Sequence, residues 1–150
     1  MSDLRELYQE VILDHGKNPR NFGTIPHAGL QKEGFNPLCG DKITLYVEED
    51  GGLIKDLRFE GCGCAISMAS GSLMTESLKG KTLQYAEEIF HLFHQCIIGC
   101  VMTEIEKEKL GKLTVLSGVS AFPLRVKCAT LAWHTLKALL QNDLRPVTTE

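Results

Sequence analysis

The chain has 150 residues, 43% of them hydrophobic and 23% charged, a composition that fits one folded domain over 1–150 and excludes a disordered chain. A net charge of −3 offers no basic field to nucleic acid, and the apolar runs are too short to span a bilayer. The first residues, MSDLRELYQEV, are amphipathic and mixed in charge rather than secretory, so a cytoplasmic protein is expected.

Asp3 and Glu6 have the spacing of a capping box, and Leu4, Leu7, Tyr8, Val11 and Ile12 follow the stripe of an amphipathic helix. HGKNPRNFG breaks that helix, and residues 16–40, punctuated by glycines and prolines, read as a long loop. KITLYVEED then alternates, with Ile43, Leu45 and Val47 on one side and Thr44, Tyr46 and Glu48 on the other. Asp50, Gly51 and Gly52 turn the chain into LIKDLRFE, where Leu57 and Phe59 share a face; this is a β-hairpin, with a third strand expected near the glycines that follow.

A helix is expected over 66–79, stopped by Gly80, and a second capped by Thr82, with Leu83, Ala86, Phe90, Phe93 and Ile97 on its apolar face. A polar stretch, TEIEKEKLGKL, leads through a short apolar piece to Pro123, which suits the first position of a last helix. That helix carries Lys127, Thr130, His134 and Lys137 on one face and Val126, Ala129, Trp133, Leu136 and Leu140 on the other, before a frayed tail, QNDLRPVTTE. The order is α+β, with helices on one face of a small antiparallel sheet.

Six cysteines in a chain of this kind point to metal or thiol chemistry, or to core filling, more than to disulfides. Cys39 sits in NPLCGD beside Gly40, with Asp41 two residues on, so a thiolate and a carboxylate can meet one ion; a polar turn with a buried thiol is the bland alternative. Cys64, between glycines and a helix start, stands where free N–H groups and the helix dipole favour negative charge. Cys128 points inward from the last helix, as core cysteines do, yet Arg125 and Lys127 lie within three residues to offset a thiolate. Cys62 shares the turn of Cys64 without an evident role. His91, His94, Cys96 and Cys100 lack a completed ligand set, and His15 and His27 read as exposed loop residues. Loops at one end of a hairpin can meet, so Cys39, Asp41, Cys64 and Cys128 form a candidate set of three sulfurs and one oxygen, suited to Zn²⁺ or to iron–sulfur species. A structural zinc module that presents a surface to a partner, and a thiol enzyme using Cys64, are the other readings; the latter lacks a histidine near Cys64 in sequence.

LYQEVILDHGKNPRNFG, NPLCGD, FEGCGCAISMASGSLMTESLKGK and GVSAFPLRVKCATLAWHTL occur in the order seen in the SufU branch of the IscU/NifU-like iron–sulfur cluster assembly proteins. The chain resembles that family from about Leu7 to Leu140. The resemblance implies a three-stranded antiparallel sheet with about five helices packed on it (SufE/NifU-like). It places the functional residues at Cys39, Asp41, Cys64 and Cys128. Where IscU-type scaffolds have histidine before the last cysteine this chain has Lys127, and their Leu-Pro-Pro-Val-Lys segment is absent, with EKEKLGKLTVLSGVSAFP in place of it. These departures favour the SufU reading. In that reading the site holds Zn²⁺ and Cys39 accepts sulfur as a persulfide from a pyridoxal-phosphate-dependent, SufS-like cysteine desulfurase. Cys64 and Cys128 anchor, Arg125 and Lys127 steady the charge, and a cluster carrier or SufBCD-like scaffold lies downstream. The alternative is a non-enzymatic scaffold that assembles [2Fe–2S] on the same four residues.

Overall fold

A computed structural model describes residues 2–141 and 147–148, with side chains from residue 6 onward. The elements run α1 (Ser2–Lys17), β1 (Leu30–Asn36), β2 (Asp41–Asp50), β3 (Leu53–Cys62), α2 (Ala65–Leu78), α3 (Leu83–Ile97), α4 (Glu104–Leu110), a 3₁₀ segment (Gly111–Ala121), α5 (Pro123–Leu140) and β4 (Val147–Thr148). The α+β class and the five helices are as expected. The sheet is not purely three-stranded: its order is β3-β2-β1-β4, antiparallel through the first three strands, with the two-residue β4 parallel to β1.

The missing strand was not near the glycines after the hairpin, where β3 simply continues to Cys62. It is β1, inside the segment expected to be loop. The inward positions of LQKEGFN are Leu30, Lys32, Gly34 and Asn36, matched against Val47, Leu45, Ile43 and Asp41 of β2. Only one of those four is a large apolar residue, so the period-two signal is lost. Gly34 is small because α5 crosses there: a Cβ at this position would overlap Thr135 Oγ1 and stand 3.2 Å from Leu131 Cδ1.

The β2–β3 hairpin turns at Gly51 and Gly52 as expected. Ile43, Leu45 and Val47 of β2 and Leu57 and Phe59 of β3 form the inner face, all buried, under α2 and α5. Residues 18–29 are held to the β3 edge, where Gly23 N–H donates to the Phe59 carbonyl at 2.7 Å and Phe59 N–H to that of Asn21 at 3.1 Å. The 3₁₀ segment buries Leu113, Val115, Leu116 and Val119.

α2 and α3 keep the expected bounds to within a residue, and Thr82 caps α3 by accepting from Tyr85 N–H at 3.0 Å. The polar stretch is a helix in its own right, α4, opened by a capping box of Thr103 and Glu106. α5 is more central than its two-faced pattern implied. Thr130 is buried along with Cys128, Ala129, Leu131, Ala132, Trp133 and Thr135, because sheet, α2 and α3 all pack around it. Trp133 stacks on Phe93 with centroids 4.3 Å apart and donates to Ser70 Oγ.

α1 extends through His15 and Gly16 to Lys17, stopping before Asn18-Pro19. His15 is therefore buried, not a loop residue, and its Nδ1 lies 2.7 Å from Ser72 Oγ of α2. Burial, then the nearby Arg20, hold its imidazole below the ordinary histidine value. Tyr8, Val11 and Ile12 pack on the core, but Leu7 is exposed. The side chains of Asp3 and Leu4, and with them the expected capping box, lie outside the described residues, as do 142–146 and 149–150 of the tail. Among the described residues no helix is long and apolar enough to cross a membrane.

Gly34→Ala is expected to cost about 1–3 kcal/mol by overpacking, read as a lower urea midpoint. In Gly34→Ala/Thr135→Ala, which removes the obstructing oxygen, the loss should be smaller than the sum of the two single losses.

Candidate functional site

Asn36 and Asp41 are paired across β1 and β2, so Pro37–Gly40 form the whole connection between the strands. Gly40 N–H donates to the Asn36 carbonyl at 2.9 Å, and Leu38 N–H to Asn36 Oδ1 at 3.2 Å, closing a compact turn with Cys39 exposed near its tip. Asp41 opens β2 and is fully buried. Cys62 of β3 is opposite Lys42, so the next residues of the chain, Gly63 and Cys64, arrive beside Asp41.

That arrival is close. A Cβ on Gly63 would overlap the Asp41 carboxylate, with its Cγ only 2.9 Å away, so only glycine lets the backbone pass. Cys64 N–H donates to Asp41 Oδ1 at 2.8 Å, and the Cys64 thiol lies 3.8 Å from Oδ2. Cys64 is also the N-cap of α2, its Sγ accepting from Ser67 N–H at 3.4 Å. From the opposite side α5 supplies Cys128, only 4% exposed, whose thiol donates to Cys39 Sγ at 3.3 Å while Asn36 Nδ2 approaches Cys128 Sγ at 3.8 Å.

Cys39, Asp41 and Cys128 therefore have donor atoms that all lie within 4.8 Å of one another, the one such group of three or more among the described residues. Cys64 is not in this group of three and stands next to it, its thiol 3.8 Å from Asp41 Oδ2. Burial pushes the Cys128 thiol far above the usual cysteine range, and the adjoining Cys39, Asp41 and Cys64 push it further. The nearby Arg125 and Lys127 do not govern this thiol as the sequence suggested. Arg125 is exposed and stacks over Phe122, its guanidinium carbon 4.5 Å from the ring centroid, and Lys127 is half-buried on α5.

The chemistry of the donor set fits a soft or borderline cation. Three thiols and a carboxylate converge from a turn, a strand start, a helix cap and a helix interior, and a divalent ion among them would let the sulfurs ionise together. The same donors fit iron bound by thiolates.

The remaining candidates separate from this cluster. Cys62 is exposed on the Lys42 side of the sheet. Cys96 is buried in the core, where burial raises its thiol, while Cys100, His91 and His94 are exposed. His91 lies against Gln95, and His94 stacks on Phe90. His27 is exposed, as expected. Sequence reasoning missed Asn36, which both closes the Cys39 turn and touches Cys128; the Asn-Pro dipeptide is a turn signal that could have found it.

The model of the NifU-like N terminal domain matches residues 7–138. The zinc-dependent sulfurtransferase SufU of Bacillus subtilis is 43% identical over 136 residues, covering 91% of this chain and 90% of that protein. The iron–sulfur cluster assembly scaffold protein IscU of Thermotoga maritima is 41% identical over 140 residues, covering 93% and 96%. A crystal structure from Fervidobacterium islandicum AW-1, named as an iron–sulfur cluster assembly scaffold for the SUF system, superposes with a TM-score of 0.83 at 39% identity, covering 91% and 98%.

Asp41→Ala removes the acceptor of the partly buried Cys64 amide and is expected to cost about 1–3 kcal/mol. Asp41→Asn keeps an oxygen for Cys64 N–H and should stay closer to the parent protein in urea denaturation.

Proposed function

We propose, from the premise that this chain belongs to the NifU-like N-terminal domain family of iron–sulfur cluster assembly scaffolds, that it receives sulfur on Cys39 from a cysteine desulfurase. The observation that carries the reading is the contrast among the thiols: Cys39 is exposed on a four-residue turn, yet its Sγ is 3.3 Å from the buried Sγ of Cys128. Cys64 is exposed as well, but it is fixed as the cap of α2, whereas Cys39 stands on a short turn, with Cys128 buried behind it. The similarity to a protein named zinc-dependent sulfurtransferase supports the same assignment.

The donor is a pyridoxal-phosphate-dependent, SufS-like desulfurase carrying a persulfide on its own cysteine. Cys39 attacks the terminal sulfur as a thiolate; a new S–S bond forms on Cys39, the old one breaks, and the desulfurase thiolate leaves with the electron pair, so no external oxidant or reductant is needed. The Pro37–Gly40 turn gives the access that this exchange needs. Cys64 and Cys128, fixed on helices, stay as anchors. Zn²⁺ held by Cys39, Asp41, Cys64 and Cys128 would keep the sulfurs anionic at neutral pH. Three thiolates and a carboxylate carry more negative charge than one divalent ion cancels.

The second reading is a scaffold that assembles [2Fe–2S] on the same residues, favoured by the similarity to proteins named IscU. In either case the product passes to a cluster carrier or a SufBCD-like scaffold, within the cytoplasm and as a single domain over 1–150. A structural zinc module is less well supported, because the buried core of sheet, α2, α3 and α5 is built without the cluster.

Incubation with a cysteine desulfurase and cysteine should place persulfide sulfur on the parent protein, and Cys39→Ala should abolish it. Acceptance by Cys39→Ala at the parent rate would remove Cys39 from the relay. Reconstitution with iron and sulfide without air separates the two readings: a stable cluster with no stimulation of the desulfurase favours the scaffold.

A further inference from the structure

The buried hydroxyls on α2 are partnered with one exception. Ser70 Oγ donates to the Ala129 carbonyl and accepts from Trp133 Nε1. Ser72 Oγ meets His15 and Arg20 N–H, and Thr75 Oγ1 reaches the Ser72 carbonyl at 2.9 Å. Ser67 is 1% exposed, and its Oγ is the buried side-chain oxygen or nitrogen, among the described residues, that has no hydrogen-bond partner. A buried hydroxyl without a partner is costly, and helical serines ordinarily relieve that cost by bonding a carbonyl of the preceding turn. In this chain Thr130 and Thr135 do so, and Ser67 does not.

The exception sits beside the sulfurs. Ser67 is in the first turn of α2, and its own N–H points at Cys64 Sγ from 3.4 Å. Ser70, one turn further along the helix, bonds the backbone of Ala129, the neighbour of Cys128. The unpartnered oxygen therefore lies between the cluster and a fully satisfied contact of α2 with α5. A neutral thiol accepts a hydrogen bond weakly, whereas a thiolate accepts strongly.

We infer that the Ser67 hydroxyl is a positioning donor to the Cys64 sulfur in its anionic, cation-bound state, an assignment that rests on the cation reading of the cluster. Rotation about χ1 brings Oγ toward the sulfur that the backbone N–H of the same residue already faces. Cys64 then receives two donors from one residue, which fixes its direction and tunes its donor strength, as hydrogen bonds to metal-bound ligands do elsewhere. In the neutral cluster the hydroxyl gains nothing from its position.

The two states give Ser67→Ala opposite consequences. In the metal-free full-length protein the substitution removes an unpartnered buried oxygen and adds helix propensity, so the thermal midpoint should be unchanged or higher. In Co²⁺ titrations the affinity should fall by about tenfold, and the sulfur-to-cobalt charge-transfer band should move to longer wavelength as the sulfur loses a donor. The inference stands if affinity and band both move while the metal-free midpoint does not fall. Equal affinity, an unmoved band, or a midpoint lowered along with the affinity overturns it. A parent protein that binds no Co²⁺ overturns the cation reading and this inference with it.

Discussion

Asp41 is a carboxylate with no exposed surface, and a buried acid persists only where its surroundings supply donors or opposite charge. The chain supplies the first from its own backbone. Cys64 N–H and the Cys64 thiol reach the two oxygens, and Gly63 gives up its side chain so that this approach is possible. The demand fixes much else. The β1–β2 turn has to close between Asn36 and Asp41, β3 has to run to Cys62, and α2 has to begin immediately afterwards. A cation among the neighbouring sulfurs would supply the second.

The packing around that point divides the cysteines by the elements that hold them. Cys64 caps a fourteen-residue helix and Cys128 is buried within an eighteen-residue one, so both are held by elements that the core stabilises. α5 reaches the sheet only because Gly34 leaves room for Thr135, and α2 is tied to it through Ser70, Ala129 and Trp133. Cys39 has no such support beyond a short exposed turn closed by Asn36. A site with two sulfurs held on helices and a third, exposed one on a short turn suits transfer better than a purely structural cation site, whose ligands gain from being equally enclosed.

Much of this was legible in the sequence where a regular period or a cap expressed it. The β2–β3 hairpin, α2, α3 and the start of α5 followed from alternation, helical stripes, Thr82 and Pro123. The approach of Cys39, Asp41 and Cys128, with Cys64 beside Asp41, was expected from their places at one end of the hairpin. What stayed hidden has a common cause: residues whose identity answers to tertiary contact rather than to local pattern. β1 carries a lysine, a glycine and an asparagine on its inner side because α5 and the cluster lie against it. His15 looked like part of a loop because Gly16 and Asn18-Pro19 follow it, yet Gly16 sits inside α1 with Ala65 closely opposed. Thr130 belonged to a polar stripe that the surrounding elements covered. Arg125 and Lys127, adjacent to Cys128 in sequence, were weighed as neighbours of its sulfur, whereas burial governs that thiol.

The central claim is that Cys39, Asp41, Cys64 and Cys128 surround one cation. X-ray absorption at the zinc edge of the zinc-loaded protein tests it directly. The account predicts about three sulfur scatterers near ~2.3 Å and one oxygen near ~2.0 Å. A shell of four sulfurs, a shell containing imidazole, or zinc bound without sulfur would contradict it.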